Sequence, residues 1–124
     1  MISRFIVHRH SAGRSHFDLR LIQEQVMRSW SLLREPACRA GEKRLAIERE
    51  SFSAKEVDSK VFKEDAFGEG RVYTWDEGEV EISNCTVRQL NLIFKGARLT
   101  GRYELLRMRW YPGNRWLLKK TARD

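Results

Sequence analysis

Nine short stretches of alternating apolar and polar residues run along this chain, and they constrain its fold more than any other feature. Each stretch has four to eight residues, is rich in branched and aromatic side chains, and is followed by glycine or a polar cluster. They are Ile2–His8, Phe17–Ile22, Met27–Leu33, Arg44–Arg49, Arg71–Trp75, Glu79–Ile82, Leu90–Phe94, Arg102–Arg109 and Arg115–Lys119. Short strands at even spacing predict an all-β fold, an antiparallel sandwich or barrel.

The connections between these stretches also carry signals. Asp76-Glu77-Gly78 and Tyr111-Pro112-Gly113-Asn114 have the composition of hairpin turns. Residues 53–65 are polar and weakly patterned, and we expect an irregular excursion there with a short helical turn. Since no repeat or linker interrupts the 124 residues, we expect one domain over residues 1–124.

Composition narrows the class of protein. No apolar run approaches the roughly 20 residues of a membrane span, and the first ten residues lack the apolar stretch of a secretory signal. Cys38 and Cys85 are too few for a disulfide framework and lack the spacing of a metal site, so we expect buried or incidental thiols. These features predict a cytoplasmic protein.

Charge is unevenly distributed along the chain. The total is +7, but residues 1–47 carry +5, residues 48–82 carry −6, residues 83–91 carry +1 and residues 92–124 carry +7. If the fold brings the two basic ends together, one face would suit a polyanion such as nucleic acid. A solvated surface without a partner explains the same charges, so charge alone leaves both interpretations open.

The most informative run begins at His8, because all three histidines of the chain fall between His8 and His16. In a strand from His16 onward, His16, Asp18 and Arg20 project from one face, while the apolar residues between them face the core. His16 and Asp18 can share a divalent ion, and His10 can join them if the loop at 11–15 folds back. Such a site keeps positions open for substrate and suits Mn²⁺, Fe²⁺ or Zn²⁺. Arg20 is placed to hold an anionic group beside it.

A simpler interpretation of the same residues is equally compatible with their spacing. In it, His8 and His10 lie on the surface, and Asp18 and Arg20 form a cross-strand ion pair.

Several motifs carry a family resemblance. The run His10-x5-His16-Phe17-Asp18-Leu19-Arg20-Leu21 resembles the signature of the 3′-phosphoesterase domain of bacterial DNA ligase D and its free-standing prokaryotic relatives. The similarity continues, in order, through Ser29-Trp30, Pro36, Gly41–Ala46, Phe67–Gly70, Trp75–Gly78, Leu92–Phe94, Gly96–Leu105 and Trp116–Lys120.

The resemblance implies a compact antiparallel β-barrel with a metal site in a basic groove. It implies Mn²⁺-dependent removal of a terminal ribonucleotide and a 3′-phosphate from DNA 3′ ends, in repair and end joining beside a DNA ligase or other end-joining proteins. Matched by position, the metal ligands are His10, His16 and Asp18, and the residues expected to serve catalysis are Arg20, Arg34, Arg44 and Glu50. Arg34 stands where the family usually has a lysine.

Two positions depart from the family pattern. Phe52 replaces a phosphate-contacting histidine, and Glu56 replaces a tyrosine. One alternative is therefore a DNA-end-binding module with weakened or lost catalysis. In another, catalysis is retained because a different residue fills the gap, and His8 is the one other imidazole of the chain. A metal-dependent enzyme acting on small molecules is a third hypothesis, disfavoured by the charge distribution.

Overall fold

Nine β-strands account for most of the residues that the structure, a computed structural model, describes: 2–11, 15–24, 26–53, 72–109 and 113–121. They are β1 (Ile2–His10), β2 (His16–Gln23), β3 (Val26–Leu32), β4 (Lys43–Glu48), β5 (Phe52–Ser53), β6 (Val72–Ser83), β7 (Gln89–Lys95), β8 (Thr100–Arg107) and β9 (Arg115–Lys120). None of the described segments forms a helix, and so none of them offers a helix long and apolar enough to cross a membrane.

Eight of these strands close into an antiparallel barrel. Their order is β2-β1-β6-β7-β8-β9-β4-β3, and β3 pairs in turn with β2. The short β5 adds to β3 outside this ring. The prediction of an all-β antiparallel barrel is therefore confirmed. Because β9 pairs with β4, the barrel also brings a basic C-terminal strand next to the N-terminal part of the chain.

The core lies inside the barrel and is built from alternate strand positions. Trp30 and Trp116 are fully buried there, with their rings edge to face at 5.7 Å. Phe94 makes similar edge contacts with Phe5 at 4.8 Å and with Tyr103 at 5.1 Å. Buried aromatic pairs of this kind contribute about 0.5–1.5 kcal/mol each beyond their apolar area. Because successive side chains of a strand point to opposite faces, the residues between these buried ones face outward.

One inward-facing ion pair lies beside the two core tryptophans. The Arg28 guanidinium lies 4.8 Å from the centre of the Trp30 ring and donates a 2.9 Å hydrogen bond to Glu48 Oε2. Glu48 also accepts a 3.1 Å hydrogen bond from the indole of Trp116. Both side chains are half-buried, and their charges are paired where they meet the apolar core.

Most of the strands match the alternating stretches, with two differences. The stretch at 79–82 and the described part of the stretch at 71–75, from Val72 onward, belong to the single strand β6, and β5 has no counterpart among the stretches. The expected excursion at 53–65 begins with Ser53 in β5, and its remainder, with the proposed helical turn, lies outside the described residues.

The turn predicted at Asp76-Glu77-Gly78 is wrong, because these residues lie within β6. The local irregularity is a β-bulge: Asp76 pairs with Val7 and Thr74 pairs with His8, so Trp75 has no partner on β1. Asp76 itself is buried, and its carboxylate accepts hydrogen bonds from the backbone N–H groups of residues 97, 98 and 99. An aspartate that stabilises a distant loop produces the same local sequence signal as one that begins a turn.

The second predicted hairpin agrees with the strand pairing. β8 and β9 are antiparallel neighbours, and the backbone of Gly113 between them has a positive φ of 37°. Residues 110–112 lie outside the described segments. Cys38 and Cys85 are both exposed and neither forms a disulfide, so of the two alternatives they are incidental rather than buried thiols.

Candidate metal centre

The outer faces of β1, β2 and β3 carry two adjacent rows of polar side chains. His10 pairs directly with His16 across β1 and β2. In the next row, His8 pairs with Asp18, and Asp18 pairs with Ser31 of β3. The apolar residues between them on β2, such as Phe17 and Leu19, are buried in the core as predicted. Strand alternation thus separates the polar face from the core, and pairing brings His10 beside His16.

His10, His16 and Asp18 form a tight cluster. His10 Nε2 lies 2.7 Å from Asp18 Oδ2, and His16 Nε2 lies 3.6 Å from the same oxygen. The two imidazole rings stack nearly parallel, with their centres 4.5 Å apart. One ligand atom from each of the three residues falls within 4.8 Å of the others, and the remainder of the described chain contains no other such group.

The Asp18 carboxylate is held in its charged form. Burial alone would raise its pKa, but the adjacent His10 imidazole, the hydrogen bond from Ser31 and the positive charge of Arg20 outweigh this effect and lower the pKa to about 2. The Ser31 hydroxyl donates a 2.7 Å hydrogen bond to Asp18 Oδ1, which leaves Oδ2 directed to the two imidazoles. A fixed, ionised carboxylate between two imidazoles is a suitable ligand for a divalent cation.

The environment of His10 fits a metal better than an ion pair. Its Nε2 atom is buried and has no hydrogen-bond partner among the described residues, although Asp18 Oδ2 is only 2.7 Å away. Buried polar atoms without a partner are rare, and a missing ion is one of their ordinary explanations. The donor set of two imidazoles and one carboxylate matches known sites for divalent metals. The three residues therefore fit a divalent ion.

Arg20 is held against this cluster on three sides. Its Nη2 lies 3.5 Å from Asp18 Oδ2, its Nη1 donates a 2.9 Å hydrogen bond to Ser29 Oγ, and its Nε donates at 3.3 Å to His8 Nδ1. Burial lowers the pKa of Arg20, and the Asp18 charge opposes that shift. The guanidinium remains charged, as arginine does in proteins. His8 is itself buried, so neither a surface His8 nor an isolated Asp18–Arg20 pair describes the site.

An open cleft of about 460 Å³ exposes the cluster to solvent. Its lining includes His16, Asp18 and Arg20 from β2, the two serines of β3, and Arg49 and Glu50 just after β4. Arg49 Nε donates a 3.0 Å hydrogen bond to Ser31 Oγ, which places a second guanidinium beside the cluster. The cleft thus combines a candidate metal site, two guanidinium groups and the exposed Glu50 carboxylate.

Arg34 and Arg44 lie in an adjoining cleft of about 290 Å³ rather than at the cluster. Ser31 lines both clefts, so the two are contiguous. The Arg44 guanidinium donates hydrogen bonds to the backbone carbonyls of Glu35 at 2.8 Å and Lys43 at 3.0 Å. Four of the seven predicted site residues therefore line one cleft, His10 contacts one of these four, Asp18, and the two arginines lie in the adjoining cleft.

Sequence reasoning missed Ser31 and Arg49. Both are ordinary residue types, and their role depends on strand pairing that brings them next to Asp18. The alternation of two serines with Trp30 and Leu32 on β3 was a usable signal, since it marks a polar outer face opposite Asp18 and Arg20. Of the two departures, the Phe52 backbone pairs with Met27 on β3, and Glu56 lies outside the described residues.

Comparison with known proteins identifies the family. The family model of the DNA ligase D 3′-phosphoesterase domain matches residues 8–107. The multifunctional non-homologous end joining protein LigD of Pseudomonas aeruginosa is 28% identical over 110 residues, which cover 84% of this chain and 13% of that protein. The corresponding protein of Mycobacterium bovis is 27% identical over 118 residues, covering 91% of this chain and 15% of that protein. This chain belongs to the DNA ligase D 3′-phosphoesterase domain family.

Proposed function

We propose that this protein is a metal-dependent phosphoesterase that trims DNA 3′ ends in repair and end joining. The observation that carries the proposal is the cluster of His10, His16 and Asp18 at an open cleft that also holds two guanidinium groups. Membership of the 3′-phosphoesterase domain family and the names of its end-joining relatives support a DNA end as substrate.

The reaction is hydrolysis at phosphorus in two successive steps. In the first, a water oxygen bonds to the phosphorus, and the bond from that phosphorus to the 5′ oxygen of a terminal ribonucleoside breaks. This step leaves a 3′-phosphate. In the second, water attacks the remaining phosphate, and the bond to the 3′ oxygen breaks, which gives a 3′-hydroxyl and inorganic phosphate. The 3′-hydroxyl is the group that a DNA ligase requires, so a ligase is the partner we propose.

His10, His16 and Asp18 would hold the divalent ion, and Mn²⁺ is the ion we propose. A metal bound there would supply Lewis-acid polarisation of a phosphate oxygen. Asp18 contributes a negative charge that stays ionised at neutral pH, because its pKa is about 2. The Ser31 hydroxyl keeps its carboxylate oriented.

Arg20 and Arg49 bind and orient the phosphate. A planar guanidinium donates two hydrogen bonds to phosphate oxygens, and its positive charge offsets the negative charge that develops on them. Arg20 is pre-oriented by Ser29 and His8, so little side-chain entropy is lost when phosphate binds. Arg49 contributes a second positive charge in a chain that has Phe52 where the family has a phosphate-contacting histidine.

Glu50 is the carboxylate that we propose as proton acceptor for the attacking water. It is exposed and lines the same cleft as Asp18 and Arg20. A positioned general base typically contributes about 10²–10⁴ to the rate. Arg44, whose guanidinium binds the Glu35 carbonyl, would position the segment that follows β3 rather than contact the phosphate directly.

The test uses the purified protein, Mn²⁺, and a primer–template that ends in a 3′-terminal ribonucleotide or in a 3′-phosphate. We expect trimming of both ends, dependent on Mn²⁺ and abolished by His16→Ala. Val87→Ser, an exposed position between β6 and β7, serves as a control that retains activity. Salt-sensitive DNA binding without any trimming would contradict the proposed phosphoesterase activity. It would favour the alternative, a DNA-end-binding module with weakened or lost catalysis.

A further inference from the structure

The cleft that adjoins the metal cluster has a lining of mixed character. Its apolar part consists of Leu33, Leu45 and Ile47, and its charged part includes Arg34 and Lys43. Leu33 is 50% exposed and Leu45 is 43% exposed, although both are large apolar side chains. An exposed apolar surface bordered by polar groups is typical of a binding site.

One continuous row of paired residues connects the two clefts. Asp18 of β2 pairs with Ser31 of β3, Ser31 pairs with Ile47 of β4, and Ile47 pairs with Arg115 of β9. Neighbouring strands lie about 4.8 Å apart, so the backbone at Ile47 is about 10 Å from that at Asp18. A nucleotide whose phosphate lies at the cluster can therefore reach the apolar cleft.

Positive charge continues along the same face. Lys43 pairs directly with Lys119 of β9, and residues opposite each other in an antiparallel pair share a face. Lys43 and Arg34 are exposed at the rim of the apolar cleft. A ligand that fits this arrangement has an apolar, flat part and an anionic part, which is the chemistry of a nucleotide within a strand.

We propose that this cleft is a subsite for the DNA nucleotide whose 3′ oxygen carries the phosphate to be hydrolysed. Its base and sugar rest on Leu33, Leu45 and Ile47, and its own 5′-phosphate faces Arg34 and Lys43. The inference rests on the proposed function, since it takes the phosphate to lie at His10, His16 and Asp18. The cleft volume of about 290 Å³ holds one nucleoside rather than a duplex segment.

The experiment measures binding without turnover. Fluorescence anisotropy in buffer with Mn²⁺ compares three primer–templates that end in a non-hydrolysable 3′-phosphonate: one with a normal last nucleotide, one with an abasic last nucleotide, and one with the abasic residue four positions inward. We expect the abasic last nucleotide alone to weaken binding, by about threefold to tenfold, as the loss of apolar contact with one base predicts. The variant with Leu33→Ser and Leu45→Ser should bind all three DNAs equally, while Val87→Ser keeps the difference. Equal binding of the three DNAs by the unaltered protein overturns the subsite.

A second measurement tests the charged part of the subsite. Each phosphate contact contributes about 0.9 to the slope of log K against log salt concentration on duplex DNA. Lys43→Ala should lower that slope by about this amount, and an unchanged slope contradicts the contact with the 5′-phosphate.

Failure of the subsite and failure of the proposed function give different results. If the protein discriminates against the abasic last nucleotide but forms no Mn²⁺-dependent product, the subsite proposal stands and the proposed hydrolytic activity is wrong. If the protein trims the 3′-phosphate but binds DNA with a normal and an abasic last nucleotide equally, the proposed hydrolytic activity stands and the subsite proposal is wrong.

Discussion

Ser31 donates a 2.7 Å hydrogen bond to Oδ1 of Asp18, the residue opposite it in the β2–β3 pairing. This contact fixes the carboxylate while its other oxygen, Oδ2, faces His10 and His16. In metal sites, groups that hydrogen-bond to a ligand fix its orientation and so contribute to metal affinity. The pairing of a hydroxyl with a carboxylate thus connects the register of two strands to the chemistry of the cluster.

Ser31→Ala should weaken Mn²⁺ binding. Without the hydroxyl, the Asp18 carboxylate is free to rotate, and loss of such an orienting contact costs about 10- to 100-fold in metal affinity. Isothermal titration calorimetry with Mn²⁺ measures the effect. Ser29→Ala is the matched control, because Ser29 is one alternation away on β3 and binds Arg20 instead. We expect its Mn²⁺ affinity to stay unchanged, and equal affinities of all three proteins would refute the role of Ser31.

His8 should act on catalysis through Arg20. Its Nδ1 accepts a 3.3 Å hydrogen bond from Arg20 Nε, and its ring is buried beside the cluster. His8→Leu fills the space but removes the acceptor, so we expect kcat to fall by at least about tenfold, the equivalent of a hydrogen bond to a charged group. His8→Asn places an amide oxygen near the position of Nδ1 and should restore most of the rate.

Thermal unfolding separates this effect from a loss of stability. If His8→Leu and His8→Asn lose the same activity, or if the loss in His8→Leu follows only its melting temperature, His8 has no positioning role.

The barrel could be predicted because the pattern that indicates its strands, the alternation of apolar and polar residues, is local in the sequence. Residues Phe17 to Leu21 alternate between core and outer face, and each alternation appears directly in the sequence. The same period placed His16, Asp18 and Arg20 on one face, which is the arrangement that the structure has. A family resemblance then selected a barrel over a sandwich.

The contacts that could not be predicted from the sequence are those that depend on pairing between distant segments. Asp76 satisfies backbone groups of residues 97–99, more than 20 positions along the chain, and nothing near Asp76 shows that contact. Arg49 lies beside the cluster because it donates a hydrogen bond to Ser31. This contact depends on the pairing of β3 with β4. Arg44, by contrast, matched the family pattern, yet its guanidinium binds backbone carbonyls beside the neighbouring cleft.

Gly96→Ala should destabilise the protein. A Cβ atom at this position would lie 2.6 Å from Cζ of Phe5 and would also run into the carboxylate of Asp76. Both groups are buried, so neither can move away without disturbing the core or the loop. Overpacking of this kind costs about 1–3 kcal/mol. Urea denaturation of the variant measures the loss, and a change in the free energy of unfolding below about 0.5 kcal/mol, typical of surface substitutions, would contradict the close packing.

Asp76→Asn should also lower stability, in a way that depends on pH. The Asp76 carboxylate accepts hydrogen bonds from the N–H groups of Ala97 at 3.0 Å, Arg98 at 3.0 Å and Leu99 at 2.7 Å. Burial raises its pKa, but these donors outweigh burial and lower the pKa below the usual value of 3.8. An amide has one acceptor oxygen where the carboxylate has two, and we expect a loss of about 1–3 kcal/mol at pH 7.

The sign of the pH dependence follows from the lowered pKa. The unfolded chain takes up a proton at Asp76 near pH 3.8, while the folded protein does so only at lower pH. The stabilisation is therefore complete above the unfolded pKa and is lost as pH falls through the folded pKa. Urea denaturation of the unaltered protein and of Asp76→Asn, from pH 7 down to pH 3, measures the difference in the free energy of unfolding. That difference should be constant from pH 7 to about pH 5 and should shrink below about pH 4. A difference that stays the same down to pH 3, or that grows, would show that the carboxylate does not stabilise the loop through its charge.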